Sequence, residues 1–250
     1  MTDLSPVGDA ETPLLSRGAP RVPPSRLGVA VVHDLVAAIV KGEVAPGEPL
    51  PPEAVLSQTF GVSRTVIRES VKRVEEKGLI AIEQGRGTHV RPPSSWNVLD
   101  PIVLSAMVEN DDSLAVLDDL AVVRSSLEGS MAALTAGRRD AGELATLSGA
   151  LAEMESALDD ESAFNEADAR FHLVVMAASG NTLADSITRI LFSRARESRR
   201  FRGSSAEHEL ETTLHEHRLV HDAIAAGDAT AAEVAMRDHI SAAWARRRPS

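Results

Sequence analysis

Four side chains in the C-terminal half of this 250-residue sequence have the chemistry of metal ligands. Asp168 and His172 are four residues apart, so on a helix both project from the same face. His217 and His239 lie at equal distances from Asp228, and therefore at the same height if their segments form an antiparallel helical hairpin. One carboxylate and three imidazoles inside a helical bundle suit zinc or another divalent first-row metal. The alternative is that each histidine is an ordinary surface or hydrogen-bonded core residue.

A second set of functional side chains is basic and lies between residues 63 and 72. Arg64, Arg68 and Lys72 follow each other at helical spacing, with Thr65 in the first turn and Ser63 as a good N-cap. The opposite side of this helix carries the apolar residues Ile67, Val71 and Val74. A helix that buries one side and presents cations near its start is typical of a DNA-recognition helix. The alternative is an amphipathic helix with ordinary surface charges.

The segments around this helix favour a winged helix-turn-helix. A short helix fits Glu53–Phe60, and Gly61 provides the turn before the basic helix. Two short strands, 79–82 and 88–91, flank Gly85-Arg86-Gly87 and predict a β-hairpin. Such a hairpin would be the wing, with Arg86 at its tip near a DNA groove. Taken alone, Gly85-Arg86-Gly87 is more typical of an ordinary hairpin turn.

These elements divide the chain into four parts. Residues 1–25 are rich in proline and read as a mobile arm, residues 26–91 form the winged domain, and 92–98 form a hinge. Residues 99–250 show only helical periodicity and predict an all-α bundle of six or seven helices. The predicted helices are Asp100–Asn110, Ser113–Gly137, Asp140–Leu158, Ser162–Ala178, Thr182–Arg202, Ala206–Ala226 and Asp228–Arg247. The expected fold class is therefore mainly α, with one small β-hairpin.

Composition and charge limit the function classes. The chain has no cysteine, which excludes disulfides, thiolate metal sites and a cysteine nucleophile. No apolar run approaches ~18 residues, so we expect a cytoplasmic protein without a membrane partner. The net charge is −11, but residues 26–91 carry +1 and the acidity belongs to residues 92–250. A near-neutral domain with its cations on one helix and wing can still bind DNA phosphates, and a symmetric dimer would strengthen that binding.

The N-terminal motifs resemble the winged-helix domain of the GntR family of bacterial transcription regulators. The resemblance rests on Leu50-Pro51-Pro52-Glu53, Phe60-Gly61-Val62-Ser63-Arg64-Thr65, Ile67-Arg68-Glu69 and Gly85-Arg86-Gly87-Thr88-His89-Val90. It implies that Ser63, Arg64, Thr65 and Arg68 face double-stranded operator DNA and that Gly85 lies at the wing tip. Many relatives have an arginine where this chain has Ala54, so its operator preference is expected to differ.

The C-terminal motifs resemble the FadR-type effector domain found in one GntR branch. They are Asp168-Ala169-Arg170-Phe171-His172, Glu216-His217 and Met236-Arg237-Asp238-His239. The resemblance implies that Asp168, His172, His217 and His239 hold a metal, zinc or alternatively Ni²⁺ or Mn²⁺, and that a nearby arginine receives a small organic acid. The matching arginine is Arg124, and Asn181 is a further candidate. The alternative for Arg124 is a surface ion pair with Glu128.

Shorter stretches favour a sugar acid as the effector. Trp96-Asn97-Val98-Leu99-Asp100, Glu109-Asn110-Asp111 and Phe164-Asn165-Glu166-Ala167-Asp168 resemble repressors of sugar-acid catabolism. The sequence thus predicts a homodimeric repressor controlled by a small carboxylate, and not an enzyme. One alternative is a metal-dependent enzyme fused to a DNA-binding domain, because three histidines and a carboxylate can activate water. Another is a constitutive DNA-binding protein whose bundle only dimerises.

Overall fold

The computed structural model describes residues 24–138, 140–197 and 207–248. Within these ranges it has ten α-helices and one two-stranded sheet. Nearly all of the predicted arm, and the predicted end of the helix Thr182–Arg202 beyond residue 197, lie outside the described residues. The mainly helical fold with a small hairpin is as the sequence predicted.

The first three helices and the sheet form the winged domain. The helices are α1 (Pro24–Val40), α2 (Glu53–Phe60) and α3 (Arg64–Glu76), and the antiparallel strands are β1 (Ile80–Glu83) and β2 (Gly87–Val90). The apolar sides of α1 and α3 meet in one core, in which Val36, Ile67 and Val74 are completely buried. The core therefore fixes which side of α3 remains outside. The segment before α2 also pairs with β2, since Leu50 N donates to the Thr88 carbonyl at 2.8 Å.

The linker that follows the wing packs against the C-terminal end of α3. Gly78 has a φ of +81°, and a Cβ at this position would meet the carbonyl oxygen of Ser95 at 2.3 Å. Asn97 N donates to the carbonyl of Lys77 at 2.9 Å, and the Lys77 ammonium is 2.5 Å from the Asp100 carboxylate. The predicted hinge 92–98 is therefore held on the winged domain, and it includes a 3-10 turn, Pro93–Ser95.

The remaining helices form the C-terminal bundle. They are α4 (Pro101–Glu109), α5 (Ala115–Arg138), α6 (Ala141–Ser156), α7 (Glu161–Ala178), α8 (Thr182–Glu197), α9 (Glu207–Ala226) and α10 (Ala229–Arg247). Aspartates at 140, 160 and 228 cap the N-termini of α6, α7 and α10. The main core lies between α5, α6, α7, α9 and α10, with Phe164, Phe171 and Met236 among its buried side chains.

Two packing features position the bundle. The helices α5 and α10 approach closely at Gly129, where a Cβ would meet the side chain of Arg237 at 2.5 Å. The helix α4 belongs to two cores, because Val103 and Ala106 pack in the winged domain whereas Leu104 and Val108 pack against α5, α8 and Trp244. This short helix therefore connects the bundle to the winged domain directly. In the described part of the chain, no helix is both long enough and apolar enough to cross a membrane.

Candidate functional site

The structure brings the four predicted metal ligands together inside the bundle. Asp168 and His172 lie on α7, His217 on α9 and His239 on α10, and one ligand atom from each lies within 4.8 Å of the other three. The antiparallel pairing of α9 and α10 sets the imidazoles of His217 and His239 side by side, with ring centroids 4.2 Å apart. All three histidines are buried.

Each of the three imidazoles is fixed by a hydrogen bond from its Nδ1 atom. His172 Nδ1 is 2.6 Å from Glu128 Oε2, and His239 Nδ1 is 2.8 Å from Glu216 Oε2. His217 Nδ1 is 2.8 Å from the carbonyl oxygen of Thr213. Because each of these partners is an acceptor, Nδ1 must carry the proton, and Nε2 of a neutral ring then presents a lone pair.

The three Nε2 atoms point toward a common centre, but none of them donates a hydrogen bond to another. His172 Nε2 and His239 Nε2 are 3.3 Å apart, although both are acceptors in this tautomer. His217 Nε2 lies 3.3 Å from Asp168 Oδ1, and it is a buried nitrogen without a hydrogen-bond partner in the described structure. Lone pairs that converge beside a carboxylate repel one another, and a cation between them relieves this repulsion. The donor set therefore fits a divalent metal.

Electrostatics keep the site in the state that a metal needs. Burial lowers the pKa of His217 to about 3, with a further contribution from His239, so this ring is neutral near pH 7. Burial also lowers the pKa of His239, although Glu216 opposes the shift. Burial opposes ionisation of Asp168, but its pKa is nevertheless lowered, because in acid the positive charges of the neighbouring histidines and of Arg247 favour the carboxylate. Neutral imidazoles and an ionised carboxylate are the metal-binding forms of these residues.

Glu128 joins the candidate metal ligands to the predicted effector arginine. Its Oε1 atom accepts from Arg124 Nε at 2.7 Å, and its Oε2 atom contacts His172. Burial opposes ionisation of Glu128, but Arg124 and His172 together lower its pKa to about 2. Arg124 is itself buried, with its guanidinium carbon 4.6 Å from the ring centroid of Phe192. The pairing with Glu128 that the sequence offered as an alternative is present, but inside the bundle and not on its surface.

A cavity of about 140 Å³ opens beside these groups. Asp168, His172 and His239 line one part of it, and Arg124 lines it as well. Residues from α5, α7, α8 and α10 complete the wall; they are Ala121, Glu161, Asn165, Phe192, Arg196, Ile240, Ala243, Trp244 and Arg247. The volume is small beside the ~300–1,000 Å³ of sites for drug-sized ligands, and therefore suits a small molecule.

Asn181, the further candidate from the sequence, lies elsewhere. Its side-chain oxygen accepts from Ala184 N at 3.1 Å and so caps the start of α8, and Asn181 is not among the described residues that line the cavity. Conversely, no pattern in the sequence identified Glu128 as a partner of His172, which lies 44 residues away. Glu216 was identified only as part of a motif, without a role of its own, and Arg246 was missed. Arg246 donates to both oxygens of Glu216 at 2.7 and 2.9 Å and thereby fixes the carboxylate that holds His239.

The predicted DNA-contacting residues lie on the exposed side of the winged domain. Ser63, Arg64, Thr65 and Arg68 are exposed on α3, and the hydroxyl of Ser63 also caps this helix by accepting from Val66 N. Arg68 pairs with Glu53 at 3.3 Å, but its side chain remains 73% exposed.

The wing presents a second exposed group. Gly85 and Arg86 lie in the turn between β1 and β2, where Gly85 has a φ of +81° and Arg86 pairs with Glu83 at 3.2 Å. Exposed ion pairs of this kind contribute little to stability, so both arginines can exchange their partners for phosphate or base edges at small cost.

Comparison with known proteins agrees with both halves of this description. Residues 27–90 match the family of bacterial regulatory proteins named gntR, and residues 119–242 match the FCD domain. The chain is 36% identical over 218 residues to the galactonate operon transcriptional repressor of Escherichia coli K12, covering 86% of this chain and 94% of that protein. It is 30% identical over 207 residues to the HTH-type transcriptional regulator LutR of Bacillus subtilis 168, covering 81% and 93% respectively.

A solved structure has the same fold. It is that of Lar, which controls the expression of the Listeria monocytogenes agr system; the match has a TM-score of 0.55 and 20% identity, and covers 88% of this chain and 96% of that one. The matching families and curated relatives are transcription regulators and not enzymes, which sets aside the interpretation as a metal-dependent enzyme. This chain therefore belongs to the GntR family of bacterial regulatory proteins, with a C-terminal FCD domain, and is a DNA-binding transcription regulator.

Proposed function

We propose that this regulator is a homodimeric repressor whose operator affinity is controlled by a small carboxylate bound beside a metal ion. The observation that carries the proposal is that Arg124 and three of the four candidate metal ligands line one cavity. A sugar acid is the favoured effector, since a similar protein is named as the repressor of a galactonate operon. As a regulator of operator DNA, the protein is expected to act in the cytoplasm.

On the DNA side, the first turns of α3 would enter the major groove. Arg64 and Arg68 are four residues apart and both exposed, so both can reach base edges or phosphates from one side of the helix. Ser63 and Thr65, at the start of the helix, would contact the DNA backbone. Gly85 and Arg86 would bring the wing to the neighbouring groove of the DNA. Two copies in a symmetric dimer would occupy successive half-sites.

On the effector side, Asp168, His172, His217 and His239 would hold the metal. Zinc suits three imidazoles and one carboxylate, and Ni²⁺ and Mn²⁺ are the alternatives. The metal would supply a Lewis acid for one carboxylate oxygen of the ligand. Arg124 uses Nε for Glu128, which leaves its terminal nitrogens to grip the ligand carboxylate at two points.

The signal would pass to the DNA through α8 and α4. The helix α8 contributes Phe192 to the cavity wall and Arg194 to α4, where Arg194 Nη1 donates to the Ser105 hydroxyl at 3.0 Å. The helix α4 in turn packs in the core of the winged domain. A ligand that shifts α8 would therefore change the orientation of the two α3 helices in the dimer. By linkage, such a ligand binds the free protein more tightly than the operator-bound protein.

A thermal-shift screen of sugar acids, with and without chelator, tests this function. We expect a sugar acid to raise the melting temperature only when metal is present, and the same acid to weaken operator binding in a gel-shift assay. A ligand-independent operator affinity would instead favour the constitutive DNA-binding protein whose bundle only dimerises. A monomer in light scattering would contradict the dimeric half of the proposal.

A further inference from the structure

The cavity continues beyond the candidate metal centre along one face of α7. Glu161, Asn165, Asp168 and His172 all line it and follow each other at intervals of three or four residues. With a rise of 1.5 Å per residue, Glu161 lies roughly 10 Å along the helix axis from Asp168. The helix α10 contributes residues between His239 and Arg247 to the same wall. The cavity therefore has a metal end and a distal end, and the distal end is polar.

Arg196 is one of the two cations, with Arg247, that line the cavity away from Arg124. Its Nη1 atom donates to the carbonyl oxygen of Asn165 at 2.7 Å, and its guanidinium carbon is 5.6 Å from the ring centroid of Phe192. The side chain is half-buried, and the structure gives it no carboxylate partner among the described residues. Arg124, over the same ring, is neutralised by Glu128. A guanidinium that lines a cavity and has no carboxylate partner can donate its remaining N–H groups to a ligand oxygen.

The distal end combines this donor with acceptors. Glu161 and Asn165 lie one turn apart on α7 and carry side-chain oxygens, and Asn165 also offers amide hydrogens. A second carboxylate on the ligand would be attracted by Arg196 but repelled by Glu161. A hydroxyl group both donates and accepts, and therefore fits a wall on which donors and acceptors are mixed.

We propose that Arg196, with Asn165 and Glu161, recognises the hydroxyl groups of a long polyhydroxylated monocarboxylate whose carboxylate is held at the metal and Arg124. The inference rests on the proposed function, because it assumes that an acid binds at the metal end. It assigns the selectivity for the chain length and hydroxylation of the effector to the distal residues. A two-carbon hydroxy acid held at the metal end does not extend along α7 to these groups, whereas a six-carbon aldonate does.

Isothermal titration of the full-length, zinc-loaded protein with D-galactonate and with glycolate tests the inference. In Arg196→Met, which keeps most of the apolar stem, the affinity for D-galactonate is expected to fall about tenfold or more, since a hydrogen bond to a charged group is lost. The affinity for glycolate is expected to stay within about twofold. Arg196→Lys, which keeps the charge but not the planar fork, should recover part of the loss. Arg170→Met, an exposed arginine on the outer side of α7, is the matched control and should change neither affinity.

Glu161→Gln provides a second variant in case Arg196→Met does not fold, because Glu161 is exposed at the start of α7. It should weaken D-galactonate binding and leave glycolate binding unchanged. Equal losses for the two acids, or unchanged D-galactonate binding in both variants, would overturn the assignment of the distal end. Tighter binding of galactarate, the corresponding diacid, than of D-galactonate would overturn the choice of a monocarboxylate. If glycolate binding requires both the metal and Arg124, the proposed function stands even when the assignment of the distal end or the choice of a monocarboxylate is wrong. If the wild-type protein binds neither acid, the proposed function itself is wrong, and the inference that rests on it is wrong as well.

Discussion

Lowering the pH of chelator-treated protein should reveal the free-energy cost of burying His217 as a neutral ring. Its pKa is lowered from 6.5 to about 3, mainly by burial. Between these values the unfolded chain binds a proton that the folded protein excludes, so the stability falls as the pH falls. When the pH is lowered from about 7.5 to about 5, the stability falls only below the unfolded pKa of 6.5. This range of roughly 1.5 pH units corresponds to a loss of about 2 kcal/mol in the free energy of unfolding.

Between about pH 7.5 and about pH 5, the other titratable groups of the site either change the stability little or lower it as His217 does. Glu128 and Glu216, with pKa values lowered to about 2, lose their stabilising effect only as the pH falls below their unfolded value of 4.5. His239 also has a lowered pKa and adds to the loss. The carboxylates therefore contribute little above about pH 5, and the histidines dominate.

Urea denaturation of chelator-treated protein, at both pH values, measures the effect. We compare the loss on acidification in the wild type with that in His217→Asn, so that any destabilisation common to both pH values cancels. The variant should lose about 2 kcal/mol less than the wild type. His215→Asn, an exposed histidine on the same helix, is the control and should behave as the wild type. If His217→Asn loses as much stability on acidification as the wild type, the reasoning about the buried neutral ring is wrong.

Three further outcomes are expected. Arg68→Ala should weaken operator binding in gel-shift assays and cost about 1–3 kcal/mol of discrimination between sequences if it reads a base, and an unchanged sequence preference would contradict the assignment of α3. His217→Ala combined with His239→Ala should remove the metal in elemental analysis and abolish the thermal shift with D-galactonate, so a full metal content in this variant would refute the site. Gly78→Ala should destabilise the protein more than Gly85→Ala: both have a φ of +81°, which costs about 1–2 kcal/mol for alanine, but only Gly78 would place its Cβ 2.3 Å from a backbone carbonyl. Equal melting temperatures for the two variants would contradict this close approach.

The sequence predicted those features that depend on local periodicity. Ser63 was identified as the cap of α3 and does accept from Val66 N. The residues Ile67, Val71 and Val74 were predicted to face the core, and all three are buried. Such features follow from the geometry of one helix or one turn, which the backbone fixes whatever surrounds it. The convergence of Asp168 and His172 is of the same kind.

The sequence by itself thus determined the helices, the hairpin, the family resemblance and the four side chains of metal-binding chemistry. Only the tertiary structure decided that Glu128 lies between Arg124 and His172 and that α4 belongs to two cores. It also decided that Nδ1 of each buried histidine of the candidate metal site forms a hydrogen bond within the protein. It also decided that Arg196 lines the cavity. These facts depend on how helices far apart in sequence pack against one another, and spacing along a single helix carries no information about its partner across the core.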